Sequence, residues 1–131
     1  MSHIVEARTT IQNPDLALLR QALDIVASAH EGGRVEQYIL DFGGRRQRVS
    51  TDLAVFTSRV HRGIGIELTG EGLLSFKGDP WQVWEEFTQL QQEIIQAYVS
   101  LATMQALQAM GYIAEASQEE QQVIIRGVAY A

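Results

Sequence analysis

The sequence predicts an α+β fold. The expected form is a two-layer sandwich, one mainly antiparallel sheet with two helices on one face, as a ferredoxin-like variant with extra strands. Three observations lead there. Two segments carry apolar residues at helical spacing, and each opens on an Asx-Pro pair, Asn13-Pro14 and Asp79-Pro80. The segments around them are rich in strand formers and are broken by glycine-containing turns. The joins are mostly short, which gives the order β-α-β-β-β-β-α-β-β. The sheet face away from the helices is then expected to be solvated or covered by a partner.

Each element has its own signal. His3, Val5, Ala7, Thr9 and Ile11 alternate with polar residues, but Ile4 falls on the polar side, as in a strand buried on part of both faces. Asn13 is placed as a helix cap and Pro14 as the first helical residue, with Asp15 favouring the positive helix end. Leu16, Leu19, Leu23 and Val26 follow along one helical face, and Gly32-Gly33 end the element. Val35–Phe42 reads as a strand, residues 43–48 as a polar turn or loop, and Leu53–Val60 as a second strand. Gly63–Leu68 and Leu73–Lys77 read as a hairpin joined by Thr69-Gly70-Glu71-Gly72. Gly63 and Gly65 inside that hairpin signal a bulge or a close backbone approach.

Asp79 is placed as the cap of a second helix, with Pro80 first in it. Val83, Phe87, Leu90, Ile94, Tyr98 and Leu101 then run at helical spacing, and no glycine or proline interrupts residues 81–110. Such a helix would be about 45 Å long, longer than the roughly 35–40 Å diameter of a compact domain this size. It is therefore expected to bend, break or project. Tyr112–Ser117 and Gln121–Tyr130 read as two closing strands around an acidic turn at Gln118-Glu119-Glu120.

Composition narrows function without assigning it. The chain has 131 residues, 46% of them hydrophobic and 20% charged, which suits one globular domain over residues 1–131. The absence of cysteine excludes disulfides, iron–sulfur clusters and thiolate zinc sites. A net charge of −6 argues against nucleic acid as a general partner. The charge is uneven: residues 34–78 hold seven basic and five acidic groups, and residues 79–131 hold one basic and seven acidic. No segment reaches the roughly 18–20 apolar residues of a membrane span, and Met1–Glu6 lacks the pattern of a signal peptide. A cytoplasmic location without a membrane partner is the expectation.

No residue is assigned as catalytic and no cofactor is expected. The serines lack a nucleophile-elbow context, and Asp52, Glu67 and Glu71 read as edge and turn carboxylates. His3, His30 and His61 lack the spacing of a zinc site, although His3 and His61 can meet across strands beside Asp52 or Glu67 to ligate a metal. Gly63, Gly65, Gly70 and Gly72 lie in a hairpin rather than before a helix, which is the wrong context for a phosphate loop. Arg45, Arg46 and Arg48 form the densest basic cluster. They can bind an anion through forked hydrogen bonds, or simply be a solvated loop. Trp81 and Trp84 read as core anchors or as an exposed contact; with Tyr98 they are the interface candidates.

Several pieces together resemble a known family. The opening Met1-Ser2-His3 leads into a strand and a helix near Asn13. Gly63-Ile64-Gly65-Ile66-Glu67-Leu68 occupies the place of a family strand, and Phe87, Leu90, Tyr98, Leu107 and Gly111-Tyr112 match a long-helix pattern. A final strand near Val123–Tyr130 follows. This is similar to the hypothetical chloroplast reading frame thirty-five family of cyanobacteria and red-algal plastids, a domain of unknown function also found in other bacteria. The family's usual Ala-Asp-Trp-Trp run is reduced here to Asp79 and Trp81. The resemblance carries over no catalytic residue. Because bacterial members often accompany ATPases of the AAA type, it implies an accessory or adaptor role.

The function expected is thus a non-enzymatic interaction or accessory module, with a protein partner or a homo-oligomer. The alternative is a domain that binds a small ligand or a phosphate-containing metabolite on the Arg45–Arg48 loop.

Overall fold

The computed structural model describes residues 3–119 and 122–129. Glu120 of the expected acidic turn, Gln121 and Tyr130 of the expected last strand, and Met1-Ser2 lie outside the described residues.

The fold is α+β, with two helices packed on a five-stranded antiparallel sheet, plus hairpins. Val5–Gln12 (β1), Arg34–Glu36 (β2), Ala54–Phe56 (β5), Ile64–Leu68 (β6) and Leu73–Gly78 (β7) form that sheet. Its order is β1-β7-β6-β5-β2. Tyr38–Leu40 (β3) and Arg46–Arg48 (β4) pair with each other, as do Tyr112–Glu119 (β8) and Gln122–Ala129 (β9). A ferredoxin-like connectivity is not shown. It places the first strand in the interior of the sheet, with one strand inserted between the two that the first helix joins, whereas here β1 lies at an edge, against β7, and α1 leads to β2 at the other edge.

One face of the sheet presents Val35, Val55, Ile64, Ile66, Leu74 and Phe76 to the helices, and these join the main core. Helix Leu16–Ser28 (α1) buries Leu19, Ala22, Leu23, Val26 and Ala27. Its start lies two residues beyond the expected Asn13. Asn13 takes a left-handed backbone, φ 48°, and Asp15 caps instead, accepting from the amides of Ala17 and Leu18 at 2.9 and 3.2 Å. Leu16, expected on the buried face, is exposed.

Helix Trp84–Ala109 (α2) buries Phe87, Leu90, Ile94 and Tyr98 against the same core. It is shorter than the expected 81–110 because its cap is displaced. Gln82 has φ 66°, Val83 is the cap residue, and the Val83 amide closes a turn onto the Pro80 carbonyl at 2.8 Å. The 26 residues still span about 39 Å. No residue from Val99 to Met110 is buried. The helix therefore carries its last turns past the core, and β8 and β9 pack against it.

Two expectations fail in the middle of the chain. The single strand 35–42 divides at Gln37, whose carbonyl accepts from the Val49 amide at 3.0 Å, so β2 stays in the main sheet and β3 leaves it. The loop expected over 43–48 includes β4. Both differences have one cause. Ile39 and Val49 fold back onto Ala54 as a second small core on the other face of the sheet. That face is partly covered by the chain itself.

The close approach expected at two glycines is present. A Cβ on Gly65 would lie 2.7 Å from Val49 Cγ2, so the hairpin seats only where that strand has no side chain. Gly63, at φ 85°, faces the Phe56 ring, which an added Cβ would meet at 2.8 Å.

Candidate functional site

Four places carry chemistry-bearing residues. The first is the corner where β7 runs into α2. Asp79, only 2% exposed, is not a helix cap here. One of its oxygens accepts from the Trp81 amide at 3.1 Å, and the other accepts from Arg62 Nη1 at 2.7 Å. Arg62 sits in the turn before β6, and its guanidinium lies 5.5 Å from the centroid of the Trp81 ring. A buried ion pair thus holds the turn that presents Trp81. That residue is 43% exposed, and Trp84 at the start of α2 is 57% exposed. Of the two readings for the tryptophans, the core reading is overturned: Phe87, three residues beyond Trp84, fills the core instead.

Tyr98 does not share this surface. It is 9% exposed, and its hydroxyl accepts from the Asp15 amide at 3.0 Å. It ties the start of α1 to the middle of α2, as a packing residue of this chain rather than an interface residue.

The second place is the basic hairpin. Its cations are largely engaged within the chain. Arg46 lies over the Tyr38 ring at 4.3 Å, Tyr38 meets Phe56 at 5.6 Å between centroids, and Arg34 lies over Phe56 at 4.5 Å. Two cations thus flank a pair of rings, one at each end of the row. Arg48 Nε donates to Asp52 at 2.8 Å. That hydrogen bond, reinforced by charge attraction, raises the Arg48 pKa and lowers that of Asp52. Arg45 is exposed, and its side chain pairs with no acid among the described residues. Phe42, beside it, is 72% exposed.

The third place is a cleft of about 320 Å³ between the end of α1, the turn after β5 and the first half of α2. His30 Nε2 meets Glu93 Oε2 there at 2.9 Å, linking the two helices. Glu31, Ser58, Arg59 and Glu86 also line it. The cleft is polar and holds both signs of charge.

The fourth place is the expected metal pair, which the structure does not turn into a ligand set. Asp52 is committed to Arg48, and Glu67 accepts from the Ser50 hydroxyl. Among the described residues no three His, Asp or Glu side chains group so as to hold a metal ion. Nor is any helix among them long and apolar enough to cross a membrane.

Arg62 and the His30–Glu93 pair were not legible as site residues. Arg62 and Asp79 stand far apart in the chain, and Asp79 beside Pro80 has the pattern of an ordinary helix cap. His30 precedes two glycines and reads as a helix end; no spacing links it to Glu93.

Fold and geometry together define an α+β domain with an exposed aromatic corner tied by the Arg62–Asp79 pair. No family model, no curated protein and no solved structure matches the chain.

Proposed function

We propose that the chain is a non-enzymatic protein-interaction or accessory module that docks through Trp81 and Trp84. The observation that supports this most is the pre-organised corner. Two large aromatic side chains stand in solvent on a turn clamped by the Arg62–Asp79 pair. Tryptophan and arginine dominate binding energy at interfaces, and a turn already held in place loses little freedom on binding. The resemblance to the chloroplast reading frame thirty-five family favours an ATPase of the AAA type as the partner.

The test uses the fact that Trp81 and Trp84 are the only tryptophans in the chain. A partner co-purified from native cells and identified by mass spectrometry is titrated into the purified protein. We expect the tryptophan emission to shift to shorter wavelength, and Trp81→Ala and Trp84→Ala each to weaken binding at least tenfold. Equal affinity of the variants would overturn the assignment.

A second reading, binding of a small anion on the Arg45–Arg48 hairpin, is favoured by one observation: the Arg45 side chain is exposed beside Arg46 and pairs with no acid among the described residues. Thermal denaturation with added inorganic phosphate or nucleotides tests it. The expected sign is a stabilisation that Arg45→Ala abolishes.

A further inference from the structure

We propose that β1 is the contact between two copies of this chain. The two strands would pair antiparallel across a two-fold axis at Ala7, joining two five-stranded sheets into one of ten strands.

The two edges of the main sheet are unlike. One is β2, a three-residue strand, and short strands are a usual way to guard an edge. The other is β1, eight residues long, whose only strand partner among the described residues is β7. From Val5 to Arg8 its register with β7 is regular; the irregularity comes between Arg8 and Gln12. The half of β1 nearest its start therefore presents an unbroken row of backbone donors and acceptors outward.

Burial along β1 alternates strictly. Val5, Ala7 and Ile11 face the helices and are only partly buried, packed on the rim of the main core. Glu6 and Arg8 face the other way and are exposed. The core thus ends half-covered at this edge, where a further strand would continue it.

Charge selects one register. In an antiparallel self-pair the residue numbers of facing positions have a constant sum. If the axis passes through Glu6 or Arg8, like charges face each other across it. An axis between two adjacent residues sets the apolar face of one strand beside the polar face of the other, and puts the helices of the two copies on opposite sides of the sheet. With the axis at Ala7, Glu6 faces Arg8 of the second copy and Arg8 faces its Glu6. Val5 then faces Thr9, and the apolar faces coincide. Within each copy Glu6 already stands across from Lys77. The row of charges across the joined sheet therefore alternates, Lys77, Glu6, then Arg8 of the second copy. Opposite charges on facing strand positions attract, and like charges repel.

The proposal rests on Glu6, Ala7 and Arg8 rather than on Trp81 and Trp84, so either can fail alone. It is tested on the full chain by light scattering and analytical ultracentrifugation. The wild type is expected to dimerise at micromolar concentration. Glu6→Arg sets arginine against arginine twice, and Arg8→Glu sets glutamate against glutamate twice. Each variant, with its circular dichroism unchanged, is expected to dissociate at least tenfold more readily. An equimolar mixture of the two variants is expected to recover dimers containing one of each, seen by native mass spectrometry. Because the chain has no cysteine, Ala7→Cys supplies an independent reading: facing positions at the axis are close enough for a disulfide, so mild oxidation should yield a covalent dimer. A wild type that stays monomeric at hundreds of micromolar, or single variants that remain dimeric, would overturn the proposal. So would folded variants that do not associate when mixed, or an Ala7→Cys chain that does not cross-link.

Discussion

Arg62 donates to Asp79 across the gap between the turn before β6 and the end of β7, at 2.7 Å and with the Asp79 side chain 1% exposed. The same carboxylate accepts from the Trp81 amide. Removing Arg62 leaves a buried carboxylate with only that amide. We expect Arg62→Ala to cost about 3 kcal/mol, the lower end for a broken buried pair because Arg62 keeps some contact with water. Urea denaturation followed by circular dichroism checks it. Arg62→Met, which keeps the stem without the charge, should be similarly destabilising if the charge is what matters.

Tyr98 and Asp15 make a second cross-chain tie. Tyr98→Phe keeps the ring in the core and removes the acceptor for the Asp15 amide. The expected loss is about 1 kcal/mol, the net value of one such hydrogen bond. The melting temperature should fall while the circular dichroism spectrum stays the same.

Gly65→Ala should force the β3–β4 hairpin off the sheet, since the new methyl would meet Val49. Overpacking of this kind costs about 1–3 kcal/mol. Val49→Ala in the same chain opens the space again. The double variant is therefore expected to be more stable than the sum of the two single losses predicts, which a double-mutant cycle reads directly.

The two aromatic side chains at the head of α2 should behave oppositely. Trp84→Ala is expected to change stability by less than about 0.5 kcal/mol, as for an exposed position. Phe87→Ala, three positions on and 1% exposed, is expected to cost about 3–5 kcal/mol. Equal losses would mean that Trp84 is packed.

Asp52 makes one contribution to the pH dependence of stability. Arg48 holds its folded pKa below the ordinary carboxylate value of about 4. The stabilisation is therefore complete above that ordinary value and is lost as the pH falls through the lower folded one. Asp52→Asn should bring the neutral and acid midpoints of urea unfolding closer together. The effect is small, because both partners stand in water. A gap between variant and wild type that is constant with pH would remove Asp52 from the acid response.

Much of the fold is legible in the sequence because it rests on local periodicity. Phe87, Leu90, Ile94 and Tyr98 announce α2, and the glycine turn at residues 69–72 announces the β6–β7 hairpin. What escaped depends on contacts between distant residues. Val35–Phe42 looks like one strand because nothing near Gln37 signals that Ile39 will leave the sheet for Val49 and Ala54. The cap of α2 was misplaced because Asp79 has the right neighbours for a cap and a stronger partner in Arg62. The tryptophans show the same limit: their spacing says they share a helix start, but only the packed core says that Phe87 has already taken the buried place. The basic cluster was legible as charge, while its pairing with Tyr38 and Asp52 was not.

The pairing of Val5 with Gly78 sets an order of events. β1 opens the described chain, yet the strand that fills its inner edge comes after every other strand of the main sheet. During synthesis β2, β5 and β6 emerge while β1 still lacks a ladder on either side. Closing so long a loop is an entropic cost met late in folding. Within this sheet the earliest strand is thus among the last to be secured, and a chain halted before Leu73 would hold β1 ready for any strand that arrived first.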